Sequence, residues 1–270
     1  MTDRLRAAAS CLAAVWSLHA LAATAAELPA CPGPITVGLY DSGVLYDPAS
    51  GRGIDHEVIE ELAQRSHCRL VTTVYPRVRI WTMLESGQLD MTVSGIASPE
   101  RERYSRFITY MTTKNMVILD KKKALALKDW KGFMADPSMS IGVVRSFRYS
   151  DFYDAQLALL KAQGRVGEVA DLAQVIAQFK KQRWGAVLSH PLFYPRYFSS
   201  AELEDQYAVL DWAPGEAPIK AGLVMGRHRF NEAEVAKWQA LIVQMKNDGS
   251  LRKIFAKYLP KNEIEHTLDF

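Results

Sequence analysis

Cysteine is scarce in this chain of 270 residues, which has three, and none of them stands at the spacing of a metal site. The six histidines are scattered, and no two of them lie three or four residues apart. Neither a Walker loop nor a G-x-G-x-x-G pattern occurs, so the two common phosphate-binding motifs are missing. The sequence therefore predicts neither a metal site nor a cofactor.

Excess charge is also missing. The 33 basic residues and 30 acidic residues leave a formal net charge of +3, which is too balanced for a nucleic-acid-binding surface. Beyond the first 25 residues, no apolar run reaches the roughly 18 residues that a membrane-spanning helix needs. Repeats and low-complexity segments are absent as well. These features predict a globular protein of one large domain or two small ones.

The first 25 residues have a different character. Arg4 and Arg6 precede an apolar run, and the small residues Ala23, Thr24 and Ala25 fit a cleavage site. This pattern is typical of a secretory signal peptide, although a buried N-terminal helix is an alternative. We therefore predict that residues 1–25 are removed when the protein is exported.

Two cysteines remain after this cleavage, Cys31 and Cys68. An even number in an exported protein indicates one disulfide. Cys31 precedes the strand-like ITVGLY, and Cys68 begins the strand-like CRLVTTVY. If these strands are parallel neighbours, both cysteines lie at the same sheet edge, within bridging distance. Two free buried thiols are the alternative.

Strand and helix patterns alternate along the rest of the chain. Residues 35–40 and 69–75 have strand patterns, and GIDHEVIEELAQR between them has helical spacing of its apolar residues. Further pairs follow up to a strand at 221–225. This order is typical of α/β folds with mostly parallel sheets and helices on both faces. Ligands bind such folds where strands end, here at Tyr40, Ser94, Val144 and Ser189.

Three segments resemble a known family. GIDHEVIEELAQR, LESGQLDMTVSGIASPERERYSRF and NDGSLRKIFAKYL are similar, in this order, to segments of the amino-acid class (family 3) of periplasmic solute-binding proteins. The resemblance implies a two-lobed type II fold, with 31–119 plus 222–270 in lobe 1 and 120–221 in lobe 2, closing by hinge motion. It also implies a monomer in the periplasm whose partner is an ABC permease of the inner membrane.

The resemblance further implies a ligand site. In the family, the arginine of the Pro-Glu-Arg turn grips the ligand's α-carboxylate, and Arg101 stands at that position. A guanidinium suits this role because it offers a carboxylate two parallel hydrogen bonds and stays charged. A surface ion pair of Arg101 with Glu100 or Glu102 is the alternative. The residues expected to keep the backbone close to the ligand are Ser94, Gly95 and Ala97.

The second lobe departs from the family pattern. Ser146 and Phe147, flanked by Arg145 and Arg148, stand where a Gly-Thr pair is usual, and His190 stands where an aspartate normally holds the ligand's ammonium. A histidine is not a constant negative partner. We therefore expect an anionic ligand, bound more tightly as pH falls through about 6.5. A histidine that caps a helix starting at Pro191 is the alternative.

Aromatic rings and one further arginine complete the expected site. Tyr40, Tyr46 and Phe147 are expected to line a mostly apolar pocket. Arg79 is expected to reach the cleft from the helix after the second strand, with Arg77 as the alternative.

Three classes of function fit these residues. The first is a receptor that delivers a small carboxylate to a permease, which needs no catalytic residue. The second is an enzyme resembling cyclohexadienyl dehydratase, for which Glu100, Asp41 and His190 are the candidate acids. The third is a sensor subunit. Fold alone does not separate these classes. We predict the first, because the cleft residues suit binding.

Overall fold

The computed structural model describes residues 27–270, without the side chain of Asn262, so the predicted signal peptide lies outside the described residues. Within them the chain forms two five-stranded sheets. The strands are Ile35–Leu39 (β1), Leu70–Val74 (β2), Met91–Gly95 (β3), Ser105–Thr113 (β4), Met116–Asp120 (β5), Ile141–Val144 (β6), Val166–Val169 (β7), Ala186–Ser189 (β8), Tyr207–Leu210 (β9) and Ile219–Gly226 (β10).

Helices cover both sheets, and several begin at a side-chain cap. Asn231 caps the long C-terminal helix, because its side chain accepts the backbone N–H of Glu234. None of the helices formed by residues 27–270 has the length and apolar character needed to cross a membrane. The helices are Ile54–Ser66 (α1), Arg77–Glu85 (α2), Pro99–Glu102 (α3), Lys121–Ala124 (α4), Trp130–Ala135 (α5), Asp151–Ala162 (α6), Leu172–Lys180 (α7), Ser200–Asp205 (α8), Glu232–Asn247 (α9), Ser250–Phe255 (α10) and Lys261–Thr267 (α11).

The two sheets share one plan. The first has the order β2-β1-β3-β10-β4 and the second the order β7-β6-β8-β5-β9. In each, three parallel strands are followed by one antiparallel strand that arrives from the other lobe, β10 in the first and β5 in the second. The two-lobed α/β fold is confirmed, and the sheets are mixed because each lobe receives a returning strand.

The chain crosses between the sheets at 114–115 and again at 211–218. Lys114 ties the two crossings together, because its ammonium lies 2.5 Å from the Asp211 carboxylate and donates to the Pro214 carbonyl at 3.3 Å. Strand β5 therefore belongs to the second sheet, and the strand β10 begins before residue 222 in the first. We infer that the lobe boundaries lie at these two crossings, a few residues from the expected 119 and 221.

Each lobe has an aromatic core. In the first, Trp238 and Phe255 of the C-terminal helices are fully buried, and α9, α10 and α11 pack on β4 and α1. In the second, Trp130 stacks edge-on against Tyr153 and Trp212. Side chains of this size contribute about 1.5–3 kcal/mol each when buried. These cores make each lobe a rigid support for the strand ends between them.

A disulfide joins Cys31 to Cys68, as expected from the sequence. The two Cα atoms lie 5.7 Å apart. Strands β1 and β2 are parallel neighbours, with Ile35 beside Leu70, so both cysteines lie at the same edge of the first sheet. The alternative of two free thiols is wrong.

Candidate functional site

A cavity of about 380 Å³ lies between the lobes. Its walls include the residues at or just beyond the ends of three parallel strands, Tyr40 after β1, Val144 at the end of β6 and Ser189 at the end of β8. Arg77 enters from the start of α2, and Phe147 enters from the loop after β6. The cavity therefore occupies the place where ligands bind α/β sheets.

Arg77 is the buried cation of this cavity. Its side chain is 5 % exposed, and its Nε and Nη2 atoms have no hydrogen-bond partner among residues 27–270. The guanidinium carbon lies 4.4 Å from the ring centre of Tyr40 and 4.7 Å from that of Phe147, so one ring from each lobe contacts it. Such contacts stabilise a cation only modestly. Two of its buried donors are therefore unsatisfied within the described part of the chain.

Arg79, the arginine expected at the cleft, lies elsewhere. It is exposed, and its guanidinium stacks on Tyr75 at 5.3 Å. Residues two positions apart in a helix point about 200° apart around its axis. Because Arg77 faces the cavity from α2, Arg79 must face solvent. Arg77, the alternative to Arg79, is therefore the arginine that lines the cavity.

Arg101 is buried, but it does not line the cavity. It donates from Nη1 to the Ile96 carbonyl at 2.9 Å and from Nη2 to the Ser146 carbonyl of the second lobe at 2.8 Å. Its guanidinium also stacks on Trp81 at 3.8 Å. Burial, with repulsion from Arg77, lowers the pKa of Arg101 to about 9. Its position links the lobes, and the alternative of a solvated ion pair is wrong.

The residues before Arg101 shape its loop rather than the cavity surface. Ser94 has a φ of 49°, and its hydroxyl donates to both carboxyl oxygens of Asp55 at 2.7 Å. Tyr110 donates to Asp55 at 2.5 Å, and burial raises the pKa of Asp55 to about 7. A Cβ on Gly95 would meet Val224 at 2.1 Å, and Ala97 is exposed. None of these three residues lines the cavity: Ser94 is held by Asp55, close packing explains Gly95, and Ala97 is exposed.

Two of the three residues expected after β6 lie outside the cavity. Arg145 is exposed and donates to the Glu168 carbonyl at 3.5 Å. Ser146 is also exposed, has a φ of 61°, and offers its carbonyl to Arg101. Phe147 does line the cavity. The positive charge of the cleft therefore comes from Arg77, because Arg145 points to solvent.

His190 lines the cavity as expected, but its protonation state differs from the expected one. It is 4 % exposed, its ring lies 3.7 Å from that of Phe193, and its Nδ1 has no partner among the described residues. Burial, and then the charge of Arg77, lowers its pKa to about 3. A neutral imidazole gives no gain in affinity as pH falls through 6.5. The short helix Tyr194–Arg196 that follows is preceded by Phe193, so His190 does not cap it.

The expected tyrosines differ in position. Tyr40 lines the cavity, and its hydroxyl donates to the Ser94 carbonyl at 3.4 Å. Tyr46 is packed in the core of the first lobe, with its ring 6.1 Å from that of His56. Of the two rings, only Tyr40 is placed to touch a ligand in the cavity.

Comparison with known proteins identifies the family. The model of the bacterial extracellular solute-binding proteins, family 3, matches residues 40–261. The chain belongs to this family. No curated protein matches the chain. This solute-binding protein shares its fold with solved amino-acid-binding proteins, although identities below 20 % carry the fold alone.

One such structure is an ancestral arginine-binding protein bound to arginine, with 18 % identity, a TM-score of 0.69, and coverage of 84 % of this chain and 99 % of that chain. Another is the arginine-, lysine-, histidine-binding protein ArtJ from Geobacillus stearothermophilus, with 16 % identity, a TM-score of 0.69, and coverage of 86 % of this chain and 100 % of that chain. A third is the ancestral amino acid-binding protein AncCDT-1, a precursor of cyclohexadienyl dehydratase, with 19 % identity, a TM-score of 0.65, and coverage of 84 % of this chain and 96 % of that chain.

Sequence reasoning missed part of the cavity of this solute-binding protein. The amide nitrogen of Asn115 donates to the Tyr149 carbonyl. The buried Oδ1 of Asn115 and the buried hydroxyl of Ser189 have no hydrogen-bond partner among residues 27–270. Met116 pairs with Ser189 across β5 and β8, so Asn115 lies alongside His190. The strand-end rule indicated Ser189. Asn115 could be found only once the direction of β5 was known.

Charged residues surround the mouth of the cavity. Asp41 and Asp171 are lining residues, and Arg196 of the second lobe donates to Asp41 at 3.2 Å and to Asp47 at 2.7 Å. Burial raises the pKa of Asp41. Within the described part of the chain, no group of acidic, histidine or cysteine side chains could hold a metal ion.

Proposed function

We propose that this protein captures a small anionic carboxylate between its lobes, in the periplasm and as a monomer, and delivers it to an ABC permease of the inner membrane. The observation that carries the proposal is the buried guanidinium of Arg77, whose Nε and Nη2 donors have no partner among residues 27–270. Family membership supports the role of receptor.

The geometry of Arg77 favours a carboxylate over other anions of similar size. The N–H groups of Nε and Nη2 lie on one edge of the guanidinium, and a carboxylate accepts two parallel bonds from such an edge. A buried charge without a partner is unfavourable, so a ligand that supplies the missing anion gains from relieving that cost. Arg77 therefore takes the role that the sequence motif suggested for Arg101.

The rest of the cavity suits an apolar body. Rings approach it from both lobes: Tyr40, Tyr75, Phe147, Tyr149 and Phe193. A volume of about 380 Å³ is within the range of small-molecule sites. A ligand with a flat or branched side chain would lie against these rings while its carboxylate meets Arg77.

Contacts between the lobes support capture by closure. Arg101 of the first lobe donates to the Ser146 carbonyl of the second, and Arg196 of the second lobe pairs with Asp41 and Asp47 of the first. Bonds of this kind form only when the lobes approach, so they favour the closed state of a hinged receptor.

The enzyme alternative lacks a well-placed acid. Glu100 is exposed and outside the cavity, and His190 is neutral. Asp41 lies at the mouth and is paired with Arg196. Loss of water from a bound carboxylate substrate needs a general acid that protonates the departing hydroxyl, and a neutral imidazole is a poor acid. Incubation with prephenate should return it unchanged, and formation of a product would support the dehydratase instead.

Calorimetric titration tests the proposal. 3-Phenylpropanoate should bind, and 3-phenylpropanamide, which lacks the charge, should not. Arg77→Gln should weaken carboxylate binding by about 2–5 kcal/mol, the cost of removing one partner of a buried charge pair. Arg79→Gln is the matched control, since it removes the same charge from the exposed face of the same helix. Equal losses in the two variants, or equal binding of acid and amide, would refute the proposal.

A further inference from the structure

The buried polar surface of the cavity has a cationic part and a neutral part, whereas the acidic lining residues Asp41 and Asp171 are not buried. Arg77 supplies the cation from the first lobe, whereas the neutral groups Asn115, Ser189 and His190 come from the second lobe and the crossing before it. Building on the function proposed above, we propose that the preferred ligand is a carboxylate without an ammonium group: a 2-oxo or 2-hydroxy acid with an apolar or aromatic side chain.

The buried charge around the cavity is positive. Arg77 is the buried charged side chain among the described lining residues, and the buried guanidinium of Arg101 lies close enough to be affected by it. An α-amino acid would bring a further cation into this region with no buried anion among the described lining residues to pair with it, which is strongly unfavourable. A 2-oxo or 2-hydroxy acid brings only the carboxylate, which neutralises Arg77.

The carboxyl groups nearest the cavity are already engaged. Asp55 accepts from Ser94 and Tyr110 and does not line the cavity. Asp41 is paired with Arg196 at the mouth. Asp171 caps α7, accepting from the backbone and side chain of Gln174 at 2.8 and 2.7 Å. None of the three stands where the usual aspartate of the family would hold an ammonium, which is the position of His190.

The neutral groups match an oxygen substituent at C2 of the ligand. Oδ1 of Asn115 can accept from a hydroxyl, because the amide nitrogen of this side chain is used by the Tyr149 carbonyl. The hydroxyl of Ser189 can donate to a keto oxygen or accept from a hydroxyl. Both groups, and Nδ1 of His190, are buried without partners among residues 27–270. Buried polar atoms normally have partners, so a ligand is expected to supply them.

The test uses ligands that differ only at C2. One series is phenylpyruvate, 3-phenyllactate and L-phenylalanine, and the other is 4-methyl-2-oxopentanoate, 2-hydroxy-4-methylpentanoate and L-leucine. In calorimetric titrations of the full mature chain, the oxo or hydroxy acid should bind at least about 30-fold more tightly than the amino acid of its series. This ratio corresponds to the lower end of the cost of an unpaired charge.

Three variants locate the discrimination. His190→Asp restores a carboxylate opposite the ligand, and it should shift the preference toward the amino acid by about tenfold or more. His190→Asn is the matched neutral control and should keep the parent preference. Asp171→Asn should also keep it, because Asp171 is assigned no ligand group. Comparison of the parent with Asp171→Asn still decides the question if the His190 variants fail to fold.

Each outcome has one meaning. Amino acids that bind the parent as tightly as the oxo and hydroxy acids would overturn this inference. Amino-acid binding that is lost in Asp171→Asn would overturn it too, because Asp171 would then hold the ammonium group. If those amino acids still depend on Arg77, the proposed carboxylate receptor stands and only the ligand class is wrong. Binding of no member of either series would also overturn this inference, and the titration with 3-phenylpropanoate and its amide then decides separately whether the proposed carboxylate receptor stands.

Discussion

The carboxyl group of Asp55 should make the stability of the protein fall as pH rises. It lies fully buried beneath Ser94, and it accepts hydrogen bonds from the hydroxyls of Ser94 and Tyr110. Burial raises its pKa from 3.8 to about 7, more than the two hydrogen bonds and Arg77 lower it. A group with a raised pKa in the folded state binds its proton more tightly there than in the unfolded chain.

The sign and size of the effect follow from linkage. The proton favours folding fully below about pH 4, and this contribution is lost as pH rises from about 4 to about 7. A difference of about three pKa units corresponds to about 4 kcal/mol of unfolding free energy. Asp55→Asn keeps the size of the side chain and removes the titration. The pH-dependent loss should therefore be present in the parent and absent from the variant.

Urea unfolding at pH 4.5, 6 and 8 measures this effect. The free energy of unfolding of the parent minus that of Asp55→Asn should fall by a few kcal/mol from pH 4.5 to pH 8. Taking the difference removes the contribution of all other titrating groups. Parallel curves for the two proteins would refute the reasoning, since Asp55 would then have the same pKa in both states.

Three further predictions concern the lobes, the disulfide and His190. Arg101→Ala should raise the radius of gyration of the unliganded protein in X-ray scattering and keep the preference for 3-phenylpropanoate over its amide; loss of that preference would make Arg101 the anchor. Cys31→Ser with Cys68→Ser should lose up to about 4 kcal/mol of unfolding free energy for a separation of 37 residues, and the unreduced mature parent, which lacks Cys11, should show no free thiol; a loss near zero would contradict this. Because the pKa of His190 is about 3, carboxylate affinity in the Asp55→Asn background, where the carboxyl group that interacts with Arg77 no longer titrates, should be equal at pH 5.5 and pH 8; a marked rise at the lower pH would show a titrating histidine.

Much of the fold could be predicted from local sequence patterns. The alternation of strands and helices follows apolar periodicity, although the short helices α4, α5 and α8 were not predicted. The pairing of Cys31 with Cys68 follows from two parallel strands with cysteines at their starts. Strand β4, the longest of the first sheet, was missed. Its residues SRFITYMTT do not alternate cleanly, because one face packs on C-terminal helices far away in the sequence.

The site was harder to predict because single residues decide it. Arg77 and Arg79 both open α2, and only the orientation of the helix on its sheet shows that Arg77 faces the cavity. The family motif led to Arg101, but the closed lobes place a carbonyl of Ser146 against it. The neutral state of His190 depends on burial against Phe193 and on the charge of Arg77. Arg77 is far from His190 in the sequence, so no local pattern shows that the two lie close together.

The crystal structure of the complex with 3-phenylpropanoate tests the central claim most directly. Both carboxylate oxygens should lie about 2.7–2.9 Å from Nε and Nη2 of Arg77. Arg101 should keep its hydrogen bonds to the carbonyls of Ile96 and Ser146. A carboxylate bound instead to Arg101, with those two carbonyls released, would contradict the account.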